Sequence, residues 1–217
     1  MPETSHYCLA RINVPPDNEE AFHDALDKVR PFFRKHNWTM RLNLRPDPLL
    51  ASVGGSSVPN QYLHLWTIPN FDSLIEVMFA AADTEDYVEL EKLVVGERQE
   101  LALGLIYDPA WMDGTPAAFP CYLLEQLEMV RSPARQNDFH IAMNFAKAKM
   151  KDEGWELCYA MNYSTGTISR YGHLWGVPRE NREEGLKAYL HPKRKWASKF
   201  AAGVQSWDRS WWNPVRA

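Results

Sequence analysis

The sequence predicts an α+β protein written twice, two copies of one βαββαβ unit, and three observations carry that prediction. Tyr62-Leu63-His64-Leu65-Trp66-Thr67-Ile68-Pro69 reads against Tyr171-Gly172-His173-Leu174-Trp175-Gly176-Val177-Pro178, identical at five of eight positions. Further matches keep the same order. Tyr7 to Ile12 reads against Tyr122 to Leu127, Trp38 and its following strand against Trp155 and its own, and Tyr107-Asp108-Pro109-Ala110-Trp111 against Trp207-Asp208-Arg209-Ser210-Trp211. Finally, each half passes through the same succession of hydrophobic periods, two residues for strands and 3.6 for helices.

In order, Tyr7 to Val14 is a β-branched and aliphatic strand stopped by Pro15-Pro16. Asp17 or Asn18 caps a helix whose apolar positions are Phe22, Ala25, Leu26, Val29 and Phe33, with Pro31 expected to kink or end it. Trp38 to Leu44 is the second strand and Gln61 to Ile68 the third, joined by a Pro- and Gly-rich loop. Helices are expected over Phe71 to Ala82 and Glu85 to Leu101, and a short strand over Gly104 to Tyr107. Asp113 to Pro120 reads as a linker, which divides the chain into units 1–112 and 113–217. In the second unit Ser132-Pro133 opens a helix ending near Gly154. Strands follow over Trp155 to Tyr163 and Ser169 to Val177, helices over Arg182 to Leu190 and Lys193 to Ala202, and a closing strand over Val204 to Trp207.

Strand–helix–strand twice over is the ferredoxin-like pattern, whose sheet carries helices on one face only. Two such units can set their bare faces together and close an α+β barrel around a cavity. The His-Leu-Trp strand inside a duplicated unit of this length resembles the dimeric α+β barrel superfamily, and within it NIPSNAP-like proteins. The resemblance rests on Tyr62, His64 and Trp66 and on Tyr171, His173 and Trp175. It implies the barrel fold and permits either an enzyme or a non-catalytic binding protein, because fold alone does not fix function.

Composition narrows the choice. The 217 residues carry a net charge of −4, so there is no basic footprint for nucleic acid or a membrane surface. Three cysteines, Cys8, Cys121 and Cys158, lack paired spacing and read as buried thiols in a reduced, cytoplasmic protein. The polar Met1 to His6 is not an apolar leader, and no apolar run approaches the ~20 residues of a membrane span. No metal-ligand spacing, phosphate loop or nucleophile elbow appears. Nine Trp, nine Tyr and nine Phe either fill a core or line a cavity.

Side chains alternate along a strand. Tyr62, His64 and Trp66 therefore share one face, as do Tyr171, His173 and Trp175. If the aliphatic face lies under the helices, these aromatic faces line the barrel cavity. The same logic sends Arg11, Glu128 and the Trp155–Tyr159–Tyr163 face inward and turns Glu125 away from the site. The candidate catalytic residues are His173 and His64, with Tyr171 and Tyr159 as polar partners. Tyr62, Trp66, Trp175, Arg11, Glu128 and Tyr163 are candidate substrate contacts. His173 is favoured over His64 because Gly172 and Gly176 flank it. The leading reading is a cofactor-independent lyase, isomerase or cyclase acting on an apolar or aromatic small molecule through His acid–base chemistry. Haem binding through one His, or packing of both His without chemistry, are the alternatives. A small-molecule substrate and a homodimer are the expected partners.

Overall fold

The computed structural model describes residues 5–48, 60–105, 107, 118–166 and 169–215. The strands are β1 (His6–Asn13), β2 (Thr39–Pro46), β3 (Gln61–Ile68), β4 (Gly96–Gly104), β5 (Cys121–Met129), β6 (Glu156–Tyr163), β7 (Arg170–Val177) and β8 (Val204–Pro214). They close into one antiparallel barrel in the order β1-β3-β2-β8-β5-β7-β6-β4. The helices α1 (Glu19–Lys35), α2 (Asp72–Ala82) and α3 (Glu85–Lys92) cover the first half, and α4 (Pro133–Met150), α5 (Arg182–Leu190) and α6 (Ala197–Gly203) the second. The barrel closes within one chain through two short seams, β2 on β8 and β4 on β6.

Register makes the two halves comparable residue by residue. Ala10 faces His64 across β1 and β3, and Glu125 faces His173 across β5 and β7. Leu9 with Leu65 likewise matches Leu124 with Leu174. Even the irregularities agree. A β-bulge falls between Met40 and Leu42 in β2, and at the equivalent place between Leu157 and Tyr159 in β6. One sequence match does not survive: Trp207 pairs with Leu127, whose counterpart Ile12 pairs with Glu97. Trp207 thus corresponds to Glu97, and Tyr107 lies beyond the end of β4. Asp108 and Trp111 lie outside the described residues.

Two element predictions are corrected. The expected helix from Glu85 ends at Lys92, and residues 96–104 form a full strand laddered against β1. Glu, Gln, Arg and Leu in that stretch favour helix, but pairing with two neighbouring strands outweighs local propensity. Helix α1 continues through Pro31, which sits on its exposed face and forfeits only one backbone bond.

The strand faces are also corrected. Residues paired across adjacent strands point to the same side of a sheet. Leu65 pairs with Leu9 and Leu63 with Arg11, so Leu63 and Leu65 share the barrel interior with Tyr7 and Leu9. Leu174 joins them beside Leu124. Tyr62, His64 and Trp66, and likewise Tyr171, His173 and Trp175, therefore lie under the helices, the reverse of the sequence expectation. On β1 and β5 the expected faces hold. On β6 the bulge splits the expected single face: Trp155 and Leu157 go under the helices, while Tyr159, Met161 and Tyr163 fill the barrel.

Gly172 and Gly176 consequently face the barrel, away from His173. They make room for rings there: a Cβ on Gly172 would meet the Tyr163 hydroxyl at 2.7 Å, and one on Gly176 would lie 2.1 Å from the Phe119 ring. Gly176→Ala is expected to cost about 1–3 kcal/mol in urea denaturation, the usual range for overpacking. A variant as stable as the parent would show that Phe119 does not pack into the barrel.

Candidate functional site

Under the helices the two halves start from one constellation and diverge. In the first half Trp38 and Trp66 lie 6.4 Å apart at 60°, and in the second Trp155 and Trp175 lie 6.3 Å apart at 59°. Phe22 stacks on His64 at 6.0 Å as Phe139 stacks on His173 at 5.9 Å. The aromatic frame is therefore shared, and what differs is the residue facing each histidine across the sheet.

In the second half that residue is Glu125, fully buried. Its Oε2 accepts from Trp175 Nε1 at 2.9 Å and from the Tyr189 hydroxyl at 3.1 Å, and its Oε1 accepts from Trp207 Nε1 at 3.0 Å. The Arg209 guanidinium lies 3.5 Å from Oε1 and supplies the counter-charge. His173 Nδ1 stands 3.8 Å from Oε2, and its Nε2 shares a 2.7 Å hydrogen bond with the Tyr107 hydroxyl. Tyr171 shares its hydroxyl with His140 Nε2 at 3.1 Å. Tyr189, Phe200 and Trp207 fill the remaining space with mutual ring contacts. The result is a packed polar knot in which both carboxylate oxygens and one histidine nitrogen are engaged, while His173 Nδ1 makes no hydrogen bond.

In the first half the facing residue is Ala10. Shortening Glu to Ala removes both the carboxylate and its volume, and a cavity of about 360 Å³ opens there. It is lined by Cys8, Ala10, Phe22, Trp38, His64 and Trp66 from sheet and α1, by Met78, Tyr87 and Leu90 from α2 and α3, and by Glu91, Glu97 and Gln99 at its mouth. His64 is wholly buried, and neither ring nitrogen has a hydrogen-bond partner. Trp66, the counterpart of Trp175, also makes no hydrogen bond among the described residues.

Burial sets the protonation of these groups. It pushes His64 down to about 3, helped by the nearby Arg30 and His23, so the imidazole is neutral at physiological pH. Cys8, on the cavity wall, is raised to about 12 by burial and by Glu97, which leaves an inert thiol. Glu97 itself is raised by burial, partly offset by the hydrogen bond from Gln99.

The remaining candidates lie inside the barrel. Tyr159 packs edge-on against Tyr7 at 5.8 Å, on the opposite side of the sheet from His173, so it cannot partner that ring. Arg11 donates to Gln126 Oε1 at 2.7 Å, and Gln126 in turn donates to the Tyr163 hydroxyl at 3.2 Å. Arg170 lies over the Tyr163 ring at 4.5 Å and pairs with the buried Glu100, which Arg98 also reaches at 3.0 Å. Glu128 sits cross-strand from Arg170 on β5. The residues proposed from sequence are thus divided among three places: Tyr62, His64 and Trp66 in the first-half frame, Tyr171, His173 and Trp175 in the second-half knot, and Arg11, Glu128, Tyr159 and Tyr163 on the barrel side.

Sequence reasoning missed Ala10, Glu125, Tyr189 and Arg209. The one available signal was the match of Tyr7 to Tyr122, which already aligns Ala10 with Glu125. Among the described residues no three His, Cys, Asp or Glu side chains converge as a metal site requires, and no helix is long and apolar enough to cross a membrane.

No family model matches the chain, and no curated protein matches it. Solved structures do share its fold. A protein provisionally named a monooxygenase from Lactobacillus acidophilus NCFM superposes with a TM-score of 0.61 at 12% identity, over 98% of this chain and 94% of that one. An anthrone oxidase-like protein gives 0.62 at 8% identity, over 99% and 92%. A mutant chlorite dismutase from Candidatus Nitrospira defluvii gives 0.65 at 7% identity, over 99% and 92%. At these identities the likeness establishes the α+β barrel fold.

Proposed function

We propose that the first-half cavity is a small-molecule site and that the chain is an enzyme moving a proton between an apolar, flat ligand and His64. The observation that carries this is the unpartnered His64. Buried polar groups are nearly always satisfied, and one left bare at the end of an apolar cavity of ligand size marks where a ligand's polar atom belongs. His173, favoured by the sequence, is committed to Tyr107 and sealed by Glu125, which supports a structural role for the second copy.

The chemistry follows from the dry site. A C–H bond made acidic by a neighbouring carbonyl gives its proton to a His64 nitrogen, and the electron pair moves onto the carbonyl oxygen. Imidazolium and enolate then attract each other strongly in low dielectric, which offsets the burial cost that keeps the empty site's imidazole neutral. Return of the proton to a different carbon is isomerisation; its use in ring closure or elimination gives cyclase or lyase chemistry.

The test is deuterium wash-in from D2O into the α-position of 2-tetralone, followed by NMR. Exchange faster than buffer is expected for the parent, and a loss of about 10²–10⁴-fold for His64→Phe, the usual contribution of an acid–base group. Equal exchange by both folded proteins would end the proposal. A haem-protein reading fits less well. The carboxylates at the cavity mouth, Glu91 and Glu97, would repel propionates, and among the described residues no Arg or Lys lines the cavity. A homodimer is also proposed, resting on the exposed apolar side chains Ile75 and Phe79 of α2 and Ile141 and Phe145 of α4.

A further inference from the structure

Because the two halves share one aromatic frame, the second half shows what the first-half cavity is shaped to receive. There, an oxygen of Glu125 occupies the space beside the histidine and takes the Trp175 indole N–H. Trp66 and His64 are the counterparts of that pair beside Ala10; the two His64 nitrogens are buried without a partner, and Trp66 Nε1 makes no hydrogen bond among the described residues. An acceptor oxygen placed there would take the Trp66 N–H and, in the Nδ1–H tautomer of the imidazole, a second bond from His64.

The charge of that oxygen is decided by the neighbours that differ. Arg209, which balances Glu125, corresponds by register to Gln99, since Glu125 pairs with Arg209 and Ala10 with Gln99. Trp207, a further donor to Glu125, corresponds to Glu97. The first half therefore keeps one of the two indole donors, has Gln99 in place of the Arg209 cation, and gains a carboxylate at the cavity mouth beside Glu91. The nearest positive charge to His64 among the described residues is Arg30, which is paired with Asp27 at 2.8 Å and does not line the cavity. A buried carboxylate without a counter-charge costs far more than two hydrogen bonds return. A neutral oxygen has no such cost.

Resting on the reading of this cavity as a ligand site, we infer that its ligand carries a neutral carbonyl oxygen at its inner end, of ketone or quinone type, held by Trp66 Nε1 and His64, and that carboxylates are rejected. The specificity arises on β1: Ala10 makes the space, and the lack of a cation among the described lining residues sets its polarity.

Three tricyclic probes of one shape separate the outcomes: fluorene, 9-fluorenone and fluorene-9-carboxylate, titrated against the intact protein by tryptophan fluorescence. Fluorenone is expected to bind about tenfold more tightly than fluorene, the worth of one to two net hydrogen bonds, and the carboxylate more weakly than either. Trp66→Phe should reduce the fluorenone-to-fluorene affinity ratio from about tenfold to within about twofold, whatever change in packing the two probes share. In the parent protein the fluorenone carbonyl stretch should move to lower frequency on binding, a reading that does not depend on any variant folding. Equal affinities for all three probes, tightest binding of the carboxylate, or an unshifted carbonyl stretch would each overturn the inference while leaving the cavity as a ligand site. Failure of all three to bind would overturn the cavity reading and this inference with it.

Discussion

Replacing Glu125 by Ala is expected to destabilise the protein by about 2–5 kcal/mol, the cost of leaving two buried donors unsatisfied at about 1–3 kcal/mol each. The carboxylate accepts from Trp175, Trp207 and Tyr189 and faces Arg209. Its loss strands the buried donors of Trp175 and Tyr189 and leaves the half-buried Trp207 and Arg209 without their acceptor. Glu125→Gln should cost less, because one amide oxygen still accepts while the NH2 group meets donors. Urea denaturation of both variants supplies the comparison. A loss below ~1 kcal/mol for Glu125→Ala would mean that the site collapses or floods, and that the knot is not what rigidifies the second half.

Acid is expected to unfold the protein through His64. The folded-state imidazole is held near 3 against an ordinary 6.5, so between those values the unfolded chain binds a proton that the native state refuses. The stability contribution is complete above pH 6.5 and is lost progressively as the pH falls toward 3. At about 1.4 kcal/mol per pH unit, the drop from pH 6.5 to pH 4 is on the order of 3 kcal/mol. His64→Phe, which keeps a ring against Phe22, should lose that part of the pH dependence. Other groups titrate too, His23 downward and Glu97 upward, but they are common to both proteins, so the difference between the two curves isolates His64. Parallel curves would show that His64 is solvated in solution and that the cavity is open to water.

Both effects trace to one pair of facing positions, Ala10 and Glu125, each opposite a histidine. With the glutamate the site becomes part of the core. With the alanine a cavity of about 360 Å³ remains. On the proposed reading, one copy stabilises the barrel while the other is freed for a ligand.

The sequence by itself determined the duplication, the α+β class and most of the elements, because these depend on local periods and on short matches such as Tyr62 to Pro69 against Tyr171 to Pro178. It also aligned β1 with β5 correctly and placed Arg11 on the barrel side. Alternation along β3 and β7 separated Tyr-His-Trp from Leu, but a period of two names two faces without saying which is inside. Both faces here are apolar enough to be buried, one by the barrel and one by the helices, so hydrophobicity could not choose. Only the pairing of Leu65 with Leu9, and of Leu174 with Leu124, fixed the answer. The same holds for residues 96–104, whose composition favours helix and whose neighbours impose a strand. The candidate site was hidden for a related reason: an alanine carries no chemical signal. Its meaning lies in the space it leaves beside His64, and that space exists only once β1, β3 and α1 have packed together.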